Sequence, residues 1–446
     1  MSTADRPRLS VIGTGYLGAT HAVCMASLGF EVLGLDVDQD KVDALAKGTV
    51  PFFEPDLPEL LSEQLDSGRL RFTSSVEEVG EFGDVHFVCV GTPQKQGEFA
   101  ADLTYVDAAF EQLLPCVREG ALLVGKSTVP AGTAARLAAR LDAAVEAGEA
   151  APGVDLAWNP EFLREGFAVR DTLAPDRLVF GVRSEAAERR LREAYAPVID
   201  RPTPVVSTDF ATAELVKVAA NAFLATKISF INAMAEVCEA TGGDVTMLSK
   251  ALSYDGRIGG RFLHAGLGFG GGCLPKDIRA FMARAGELGV DQALSFLREV
   301  DAINLRRRAR MVDLAREELD GSFGGMRVAV LGAAFKPNSD DVRDSPALDV
   351  AATIQRQGAA VALYDPQAMD NCRAKYPELG YRASALAAAK GADLVLHLTE
   401  WAEFREMDPA LLGEVVANRR IVDGRNALDP ERWRAAGWTY RALGRP

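Results

Sequence analysis

The chain has 446 residues, of which 48% are hydrophobic and 25% are charged, with a formal net charge of −14 at pH 7. These values are typical of a water-soluble globular protein with two or three domains, and the excess of acidic residues argues against a nucleic-acid-binding surface. Six scattered cysteines without a C-x-x-C pair argue against a disulfide framework or a zinc site, and no run of about 18 uninterrupted apolar residues predicts a membrane span, so we expect a metal-free cytoplasmic protein.

The first predicted element is a short apolar strand that begins at Leu9 and leads into a glycine-rich turn, a helix over 19–28 and a second strand over 31–36. The turn has the spacing G-x-G-x-x-G and holds Gly13, Gly15 and Gly18. In a dinucleotide-binding βαβ unit the first glycine permits the tight turn, the second lets the backbone approach the pyrophosphate, and the third lets the helix pack closely on the strand. The sequence therefore predicts a Rossmann-type dinucleotide site.

Asp36 ends the second strand of this unit, where a carboxylate accepts a hydrogen bond from the ribose 2′-OH. The same carboxylate repels a 2′-phosphate, which favours NAD over NADP, although the nearby Lys41 keeps NADP open. A glycine turn that binds no ligand is the alternative interpretation.

Further strands are predicted over 85–90, 122–126, 155–158 and 177–181, with helical patterns between them. Strands that alternate with helices favour a doubly wound parallel sheet. Glu161 and Glu165 follow the strand over 155–158, at the edge where such sheets bind ligands. Either carboxylate acts as a base there, or it pairs with Arg164 on the surface.

From Asp209 to about Ala240 the sequence is rich in Ala and contains neither Gly nor Pro. This predicts one helix of about 30 residues, about 45 Å long, that serves as a spine of the fold and as a subunit interface. Lys217 and Asn221 are four residues apart and share one face of it. The turn around them is too apolar for a solvated surface, so both polar groups need partners.

A glycine-rich loop over 266–272 leads to Cys273, and Pro275 suits the first turn of a helix predicted over 276–288. The helix N-terminus and Lys276 would favour the nucleophilic thiolate of this cysteine. A packing role for a buried thiol is the alternative. Three other cysteines lie in apolar strands or helices and are expected to be inert: Cys24, Cys89 and Cys238.

Near Arg327 a strand followed by Gly332 repeats the opening of the chain, and Asp365 repeats the acidic end of the second strand. Ala333 and Ala334 stand where the first copy continues its glycine pattern, so the close approach to a pyrophosphate is lost. We expect this second copy to bind something other than a dinucleotide.

The sequence thus predicts an α/β fold with two Rossmann-like doubly wound domains, joined by a long central helix and a helical dimerisation region. The predicted domains are 1–205, which binds NAD, 206–305, which is helical, mediates dimerisation and carries the Cys273 loop, and 306–446, which is the second Rossmann-like domain.

Seven segments stand in a fixed order along nearly the whole chain: VIGTGYLG (11–18), CVGTP (89–93), KSTVPAGT (126–133), NPEFLREG (159–166), VKVAANAFLATKISFINAMAE (216–236), DGRIGGRFLHAGLGFGGGCLPKD (255–277) and LGAAFKPNSDDVRDSP (331–346). Together they resemble the UDP-glucose 6-dehydrogenases, a group of nucleotide-sugar dehydrogenases. The resemblance implies that the C6 alcohol of UDP-glucose is oxidised to a carboxylate with two NAD and no metal, by a homodimer.

The resemblance also implies a role for each catalytic residue. Cys273 would add to the aldehyde from the first oxidation, and the resulting thiohemiacetal would be oxidised to a thioester that water hydrolyses. Lys217 and Asn221 would stabilise the oxyanion and hold the catalytic water. A carboxylate partner, a base for hydrolysis and a residue lining the water site would assist them: Asp277, Glu161 and Thr128.

The implied NAD contacts, besides the three glycines and Asp36, are Tyr16, Leu17, Lys41, Thr92, Thr128, Glu165, Lys276 and Arg343. The implied substrate contacts are Glu161, Phe162, Leu163, Lys217, Asn221, Phe262, Gly266 and Lys336, which makes 306–446 a UDP-sugar-binding domain. Arg257 would reach the substrate from the neighbouring subunit. Arg425 either contacts the UDP phosphates or is an ordinary surface arginine.

Two residues depart from the usual UDP-glucose pattern, because Gly272 replaces a serine and Leu274 replaces a phenylalanine. Leucine after the cysteine also occurs in the GDP-mannose branch, whereas the segments 221–224 and 257–262 favour UDP-glucose. The alternatives are a sister dehydrogenase for GDP-mannose or a UDP-N-acetylhexosamine, an NAD-sensing protein without catalysis, and a two-electron hydroxyacid dehydrogenase, which would not need Cys273.

Overall fold

The computed structural model describes residues 6–446, which separate into two compact units. The first unit comprises the described residues up to Ala220 together with Arg279–Leu288. The second unit comprises Asn221–Ile278 and Gly289–Pro446. Each unit contains one sheet with helices packed against it. The three-domain boundaries given above stay a prediction.

Eight strands form the sheet of the first unit: β1 (Leu9–Ile12), β2 (Val32–Leu35), β3 (Leu70–Thr73), β4 (Val85–Val88), β5 (Leu122–Gly125), β6 (Asp155–Trp158), β7 (Leu178–Val182) and β8 (Val205–Thr208). Their order is β3-β2-β1-β4-β5-β6-β7-β8. The order reverses between β1 and β4, which is the switch point at which doubly wound sheets bind ligands.

All neighbouring strands of this sheet run parallel except β6 and β7, which pair antiparallel. The prediction of a wholly parallel sheet is therefore wrong at β7. The apolar sequence of a strand does not encode its direction, which the connection to the preceding strand decides. The strands β1, β2, β4 and β5 are buried throughout, which explains their mainly apolar sequences, and the two polar residues in them, Ser10 and His86, are hydrogen-bonded to each other.

The helices of the first unit are α1 (Tyr16–Ser27), α2 (Gln39–Ala46), α3 (Leu57–Asp66), α4 (Val76–Phe82), α5 (Thr104–Leu113), α6 (Thr133–Glu146), α7 (Ala168–Leu173), α8 (Glu185–Ala194) and α9 (Ala196–Ile199). Side chains of Asp38, Ser75 and Ser184 cap α2, α4 and α8 by accepting hydrogen bonds from first-turn N–H groups. Helix α1 begins at Tyr16, before the predicted start, with Gly15 as its N-cap residue.

Helix α10 (Phe210–Thr241) has 32 residues and confirms the long helix predicted over 209–240. Its first part belongs to the first unit and the remainder to the second. Among the described residues it is the one helix whose length and apolar composition would suffice to cross a membrane, a criterion that core helices also meet. It buries polar residues, including Lys217, Asn221 and Asn232.

After α10 come α11 (Val245–Ser253), α12 (Leu274–Glu287), a 3-10 helix (Asp291–Leu294) and α13 (Phe296–Glu317). The sheet of the second unit consists of β9 (Arg327–Leu331), β10 (Ala360–Tyr364), β11 (Gly380–Tyr381), β12 (Leu394–His397), β13 (Arg420–Asp423) and β14 (Thr439–Ala442). Its order is β11-β10-β9-β12-β13-β14, and all pairs are parallel.

The helices that accompany this second sheet are α14 (Pro346–Arg356), α15 (Met369–Lys375), α16 (Ala385–Ala389), α17 (Ala402–Glu406), α18 (Pro409–Gly413) and α19 (Pro430–Ala435). The strand order reverses between β9 and β12, as it does between β1 and β4 in the first sheet. The prediction of two Rossmann-like doubly wound sheets is therefore confirmed.

Candidate active site

The glycine-rich turn between β1 and α1 has a separate physical reason for each of its three glycines. Gly13 has a φ of 87°, a left-handed conformation that side chains disfavour. A Cβ on Gly15 would meet no atom within 4 Å, so the space beside this backbone is open. A Cβ on Gly18 would lie 1.8 Å from the Gly13 carbonyl oxygen, so only glycine lets α1 pack on the turn. This geometry fits a pyrophosphate beside Gly15 at the N-terminus of α1.

Asp36 directly follows β2 and is buried. Its Oδ2 accepts hydrogen bonds from the backbone N–H of Thr14 at 2.8 Å and from the Thr14 hydroxyl at 2.9 Å. Its Oδ1 accepts from the backbone N–H of Asp38 at 3.1 Å and lies 3.9 Å from Lys41 Nζ. Thr14 thus orients the carboxylate, and Oδ1 retains acceptor capacity for a hydroxyl group.

Glu54 joins the glycine-rich turn to the loop that follows β6. Its Oε2 accepts from the Tyr16 hydroxyl and, at 2.6 Å, from the backbone N–H of Gly166. Its Oε1 accepts from the backbone N–H of Ala168, also at 2.6 Å. Because Gly166 follows Glu165 directly, this buried carboxylate fixes both segments that carry predicted NAD contacts.

Two predicted residues after β4 and β5 are in direct contact, since the Thr92 hydroxyl donates to the Thr128 carbonyl oxygen at 2.8 Å. Thr92 is buried and Thr128 is half-buried. Leu17, another predicted NAD contact, packs against the core of the sheet. Leu17 would therefore contact a cofactor through its backbone.

Glu161 and Lys217 form a largely buried ion pair, with Oε1 and Nζ 2.9 Å apart. Oε2 of Glu161 accepts from the backbone N–H of Leu163 at 2.6 Å. Burial alone raises the pKa of Glu161, but the Lys217 ammonium, the Leu163 N–H and the charge of Lys126 together hold that pKa below its usual value. Glu161 is therefore a carboxylate at neutral pH.

The alternative in which Glu161 pairs with Arg164 is wrong, because Arg164 pairs with Asp171 at 2.7 Å.

Phe162, the residue after Glu161, contacts two cations. The Arg177 guanidinium carbon lies 3.7 Å from the centroid of the Phe162 ring, and Lys217 Nζ lies 5.8 Å from it. Cation–π interactions with Arg177 and Lys217 thus favour a position of the Phe162 ring beside the Glu161–Lys217 ion pair.

In the second unit, the side-chain amide of Asn221 donates to Asp277 Oδ2 at 2.7 Å, and both residues are buried. Lys276 Nζ lies 2.7 Å from Asp277 Oδ1. The structure thus brings an amide, a carboxylate and an ammonium together, which is a set of donors and acceptors suited to holding a water molecule. The expectation that Lys217 and Asn221 are buried and have partners is confirmed.

Cys273 is exposed and stands directly before α12, where its carbonyl oxygen accepts from the backbone N–H of Asp277 at 2.9 Å. The helix begins at Leu274, two residues before the predicted start, and its N-terminus carries partial positive charge. The cysteines expected to be inert are all buried, and burial raises the pKa of the Cys24 and Cys89 thiols to about 12.

Arg343 lies against the glycine that precedes this cysteine. Its Nε and Nη2 donate to Asp341 at 2.9 and 2.7 Å, and Asp341 Oδ2 also accepts from the backbone N–H of Gly272 at 3.2 Å. A Cβ on Gly272 would lie 2.3 Å from Arg343 Cζ. The departure from serine at this position therefore makes room for the guanidinium beside the Cys273 loop.

Arg425 holds three loops of the second unit together. It donates from Nε, Nη1 and Nη2 to the carbonyl oxygens of Leu398, Gly268 and Phe335 at 2.7, 2.9 and 3.0 Å. Its side chain is only 10% exposed, so the interpretation as an ordinary surface arginine is wrong. Arg425 therefore links the segments that carry Gly266 and Lys336 through their backbone carbonyl oxygens.

Two more predicted substrate residues have unusual surroundings. The backbone N–H of Gly266 donates to Asn232 Oδ1 at 2.9 Å, and a Cβ on Gly266 would lie 2.7 Å from the Gly424 carbonyl oxygen. Phe262 has a φ of 64°, a left-handed conformation that costs a bulky residue about 1–2 kcal/mol. Strain of this kind is found preferentially at functional sites.

The remaining predicted substrate residues are cationic. Arg257 is exposed and pairs with Asp255, two residues earlier, at 2.6 Å. Lys336 is half-buried, with Nζ 5.3 Å from the centroid of the Phe335 ring. Arg257, whose side chain is 89% exposed, is thus open to solvent, whereas Lys336 is partly covered.

The second sheet keeps the acidic residue of a dinucleotide site but uses it internally. Oδ2 of the fully buried Asp365 accepts from the backbone N–H groups of Ala333 and Ala334 at 2.7 and 3.0 Å and from Trp401 Nε1 at 3.1 Å. Its Oδ1 accepts from two further backbone N–H groups. In contrast to Asp36, this carboxylate has no capacity left for a ribose.

Three models of one family match successive parts of the chain. The NAD binding domain of the UDP-glucose/GDP-mannose dehydrogenase family matches residues 7–199, the central domain matches 211–306 and the UDP binding domain matches 329–430. The chain belongs to the UDP-glucose/GDP-mannose dehydrogenase family.

Relatives within this family match the chain over its full length. A UDP-glucose 6-dehydrogenase of Rhizobium meliloti (strain 1021) is 39% identical over 98% of this chain and 100% of its own. The structure of a UDP-glucose dehydrogenase from Pyrobaculum islandicum has a TM-score of 0.90 at 38% identity and covers 100% of this chain and 99% of its own. A UDP-D-ManNAc dehydrogenase structure from Pyrococcus horikoshii has a TM-score of 0.85 at 28% identity, with 98% and 99% covered.

In this member of the UDP-glucose/GDP-mannose dehydrogenase family, sequence reasoning missed the polar residues that hold the predicted site residues in place. They are Thr14, Glu54, Lys126, Asn159, Asn232 and Asp341. One signal was available, because a lysine that ends a buried apolar strand, as Lys126 ends the run over 122–126, needs a partner inside the fold.

Proposed function

We propose that this chain oxidises UDP-glucose to UDP-glucuronate, a four-electron reaction that uses two NAD for each sugar. The observation that carries the proposal is the place of Cys273, which is exposed, directly precedes α12 and stands four residues before the buried Asp277. A two-electron alcohol dehydrogenase has no use for a nucleophile there. A second oxidation requires one, because the aldehyde must first be converted into a species that can lose another hydride.

The residues of the first unit fit NAD, as the open space beside Gly15 and the oriented carboxylate of Asp36 indicate. NAD, when bound, supplies the hydride acceptor for both oxidations. Glu54 would hold the segments of Tyr16 and Glu165 in the positions in which they contact the cofactor. The acceptor capacity of Asp36 would be used by a ribose hydroxyl, which supports NAD over NADP.

In the first oxidation, C6 of the sugar loses a hydride and its hydroxyl loses a proton. A water held by Asn221 and Asp277 would take this proton, and the Lys217 ammonium would stabilise the negative charge that develops on the oxygen. The product of this step is the C6 aldehyde.

The Cys273 thiolate then forms a bond to C6 of the aldehyde, and the carbonyl oxygen takes up a proton to give a thiohemiacetal. Loss of a second hydride from C6, together with the hydroxyl proton, converts the thiohemiacetal to a thioester. The positive N-terminus of α12 would favour the thiolate for the addition.

Hydrolysis of the thioester completes the reaction. Water adds to C6 while Glu161 takes one of its protons, and Lys217 and Asn221 stabilise the tetrahedral oxyanion. The carbon–sulfur bond then breaks and returns Cys273 as the thiolate, and the C6 carboxylic acid loses its remaining proton to solvent and leaves as the carboxylate. The low pKa of Glu161 supports this role, because the base must be ionised when water attacks. Thr128 would line the water site.

The residues proposed to bind the UDP-sugar are the strained Phe262, the Gly266 backbone, Lys336, Phe162 and Leu163. Two negatively charged phosphates need cations in a protein of net charge −14, and the half-buried Lys336 would supply one. The UDP binding domain match over residues 329–430 supports this assignment.

The proposal includes a homodimer that works in the cytoplasm. Phe223, Phe230 and Val237 recur every seven residues along α10 and are 67%, 49% and 52% exposed, which is an apolar stripe that a second copy would cover. The exposed Arg257 would reach the substrate of the partner copy.

The identity of the sugar is tested by incubating the purified protein with NAD and each of four nucleotide sugars: UDP-glucose, GDP-mannose, UDP-N-acetylglucosamine and UDP-N-acetylmannosamine. NADH formation is followed by absorbance. We expect the highest kcat/KM with UDP-glucose. A higher value with another sugar contradicts the substrate assignment, and no NADH with any of the four contradicts the enzymatic function.

A further inference from the structure

A second lysine, Lys126, is buried at the carboxyl end of β5 in the first unit. Its Nζ donates to Asn159 Oδ1 at 2.9 Å and to the Tyr195 hydroxyl at 3.1 Å, and the Tyr195 hydroxyl donates to the same Asn159 oxygen at 2.6 Å. The three polar groups form a closed triangle of hydrogen bonds inside the fold. A buried ammonium is unfavourable unless it is compensated, so this lysine needs an explanation beyond packing.

Asn159 connects this triangle to the active-site loop. Its amide donates to the Val179 carbonyl oxygen on β7 at 2.9 Å, so the residue is tied to strands on both sides of β6. Only Pro160 separates Asn159 from Glu161. The position of the Glu161 backbone therefore depends on the side chain that Lys126 holds.

The charges around Lys126 come from several elements. Burial raises the pKa of the Cys89 thiol to about 12 and that of the Tyr195 hydroxyl well above its usual value, and burial lowers the pKa of His21, so these three groups are neutral. The remaining charged groups are the Glu161 carboxylate and the Lys217 ammonium. One anion thus faces two cations.

Lys126 carries its charge under the conditions in which Glu161 must be ionised. Burial lowers the pKa of Lys126 to about 8, while the carboxylate of Glu161 favours its protonated form and the ammonium of Lys217 disfavours it. Below that pH the Lys126 charge acts on Glu161 through a region of low dielectric, where electrostatic interactions are strong.

We propose that Lys126 is a positioning residue of this dehydrogenase, which fixes Glu161 through Asn159 and keeps the Glu161 carboxylate ionised through its own positive charge. The mechanistic part of this inference rests on the proposed role of Glu161 as the base of thioester hydrolysis. The electrostatic part concerns the Glu161 carboxylate alone and holds for any reaction.

The matched variants are Lys126→Gln, which keeps a hydrogen-bond donor for Asn159 but removes the charge, and Lys126→Arg, which keeps the charge. Loss of a nearby positive charge raises the pKa of a carboxyl, so Lys126→Gln should move the acidic limb of the kcat–pH profile upward, by up to about one unit. Lys126→Arg should keep the acidic limb of the unaltered enzyme. A merely structural role predicts an altered kcat at every pH without movement of that limb.

The pKa of Glu161 is measured directly by NMR on protein labelled with ¹³C at glutamate carboxyl carbons, where the Glu161 signal is the one missing in Glu161→Gln. A raised Glu161 pKa in Lys126→Gln, restored in Lys126→Arg, supports the proposal even if UDP-glucose is not the substrate. An equal Glu161 pKa in all three proteins overturns it. If Lys126→Gln does not fold, Lys126→Arg decides, because a changed Glu161 pKa in that variant also overturns the proposal.

Discussion

Lys217 on α10 and Glu161 on the loop after β6 form one buried ion pair, 2.9 Å between Nζ and Oε1. Removal of either partner deprives the other buried charge of a counter-ion 2.9 Å away, which is more costly than loss of a surface ion pair. The pair also places an ionised carboxylate and an ammonium next to each other, which are two of the groups that the proposed thioester hydrolysis would use.

Replacement of Glu161 by Gln removes the proposed base while keeping the size of the side chain. We expect kcat to fall at least about 100-fold, with a covalent sugar adduct accumulating on Cys273, because hydrolysis is the step that slows. Rapid quenching followed by mass spectrometry of the Cys273 peptide measures the adduct. Glu185→Gln, an exposed glutamate on α8, is the control and should keep kcat. A Glu161→Gln enzyme with unchanged kcat contradicts the assignment.

Substitution by alanine should affect different properties at two glycines of the turn after β1, namely NAD binding at Gly15 and folding stability at Gly18. Gly15→Ala should fold with a free energy of unfolding within about 1 kcal/mol of the unaltered protein but bind NAD at least about tenfold more weakly, because its Cβ points into open space that the cofactor needs. Gly18→Ala should lose about 2 kcal/mol or more, because its Cβ would collide with the Gly13 carbonyl oxygen.

Urea unfolding and NAD titration by calorimetry measure both effects. Gly286→Ala, at an exposed position inside α12 where a Cβ meets nothing, is the control and should gain up to about 1 kcal/mol without changing NAD affinity. Equal effects of Gly15→Ala and Gly18→Ala on stability would show that the two glycines do not differ in the way described.

Features of the site that depend on residues close together in the sequence could be predicted, whereas contacts between residues far apart in the sequence could not. The βαβ unit, the long helix and the position of Cys273 directly before a helix follow from local spacing and were predicted, whereas the exposure of Cys273 was not. The bonds from Thr14 to Asp36 and from Lys126 to Asn159 join residues far apart in the chain, and each becomes evident only when the strands that carry them are neighbours.

The direction of β7 and the position of Arg425 were also beyond the sequence. An apolar strand has the same sequence pattern in either direction, so its antiparallel pairing with β6 depends on the connecting loop. Arg425 resembles a surface residue because its neighbours are polar, whereas three backbone carbonyl oxygens from distant loops enclose its guanidinium.

Asp423 at the end of β13 predicts a pH-dependent contribution to stability. Burial alone raises its pKa, but His397, whose Nδ1 lies 2.9 Å from Oδ1, and several backbone N–H groups hold the pKa below its usual value. A carboxyl whose pKa is lowered by folding stabilises the protein above its unfolded pKa of about 3.9, and this contribution is lost as the pH falls through the lower, folded-state value.

Asp423→Asn should therefore lower the free energy of unfolding by about 3 kcal/mol at neutral pH, because the new amide meets hydrogen-bond donors instead of acceptors. The difference should shrink below about pH 4. Urea unfolding across this pH range measures it, and Asp370→Asn, whose side chain is 97% exposed, should change stability by no more than about 0.5 kcal/mol. A difference that does not depend on pH would contradict the pKa argument.

The apolar stripe on α10 predicts the effect of a charge placed in the proposed subunit interface. Phe230→Glu should convert a dimer to monomers that have lost most of their activity, since Arg257 would no longer reach the partner's substrate. Analytical ultracentrifugation and initial rates measure both properties. Phe99→Glu, at a 55% exposed position of the first unit, should leave both unchanged. A dimeric Phe230→Glu protein would exclude this stripe as the interface.

The yield of NADH from a limiting amount of UDP-glucose tests the covalent mechanism most directly. The unaltered enzyme and the control Cys116→Ala, which changes a half-buried cysteine outside the site, should each form two NADH per UDP-glucose. Cys273→Ala should bind NAD normally but form no more than one, because the aldehyde has no thiol to add to. Two NADH per UDP-glucose from Cys273→Ala would contradict the thiohemiacetal and thioester sequence.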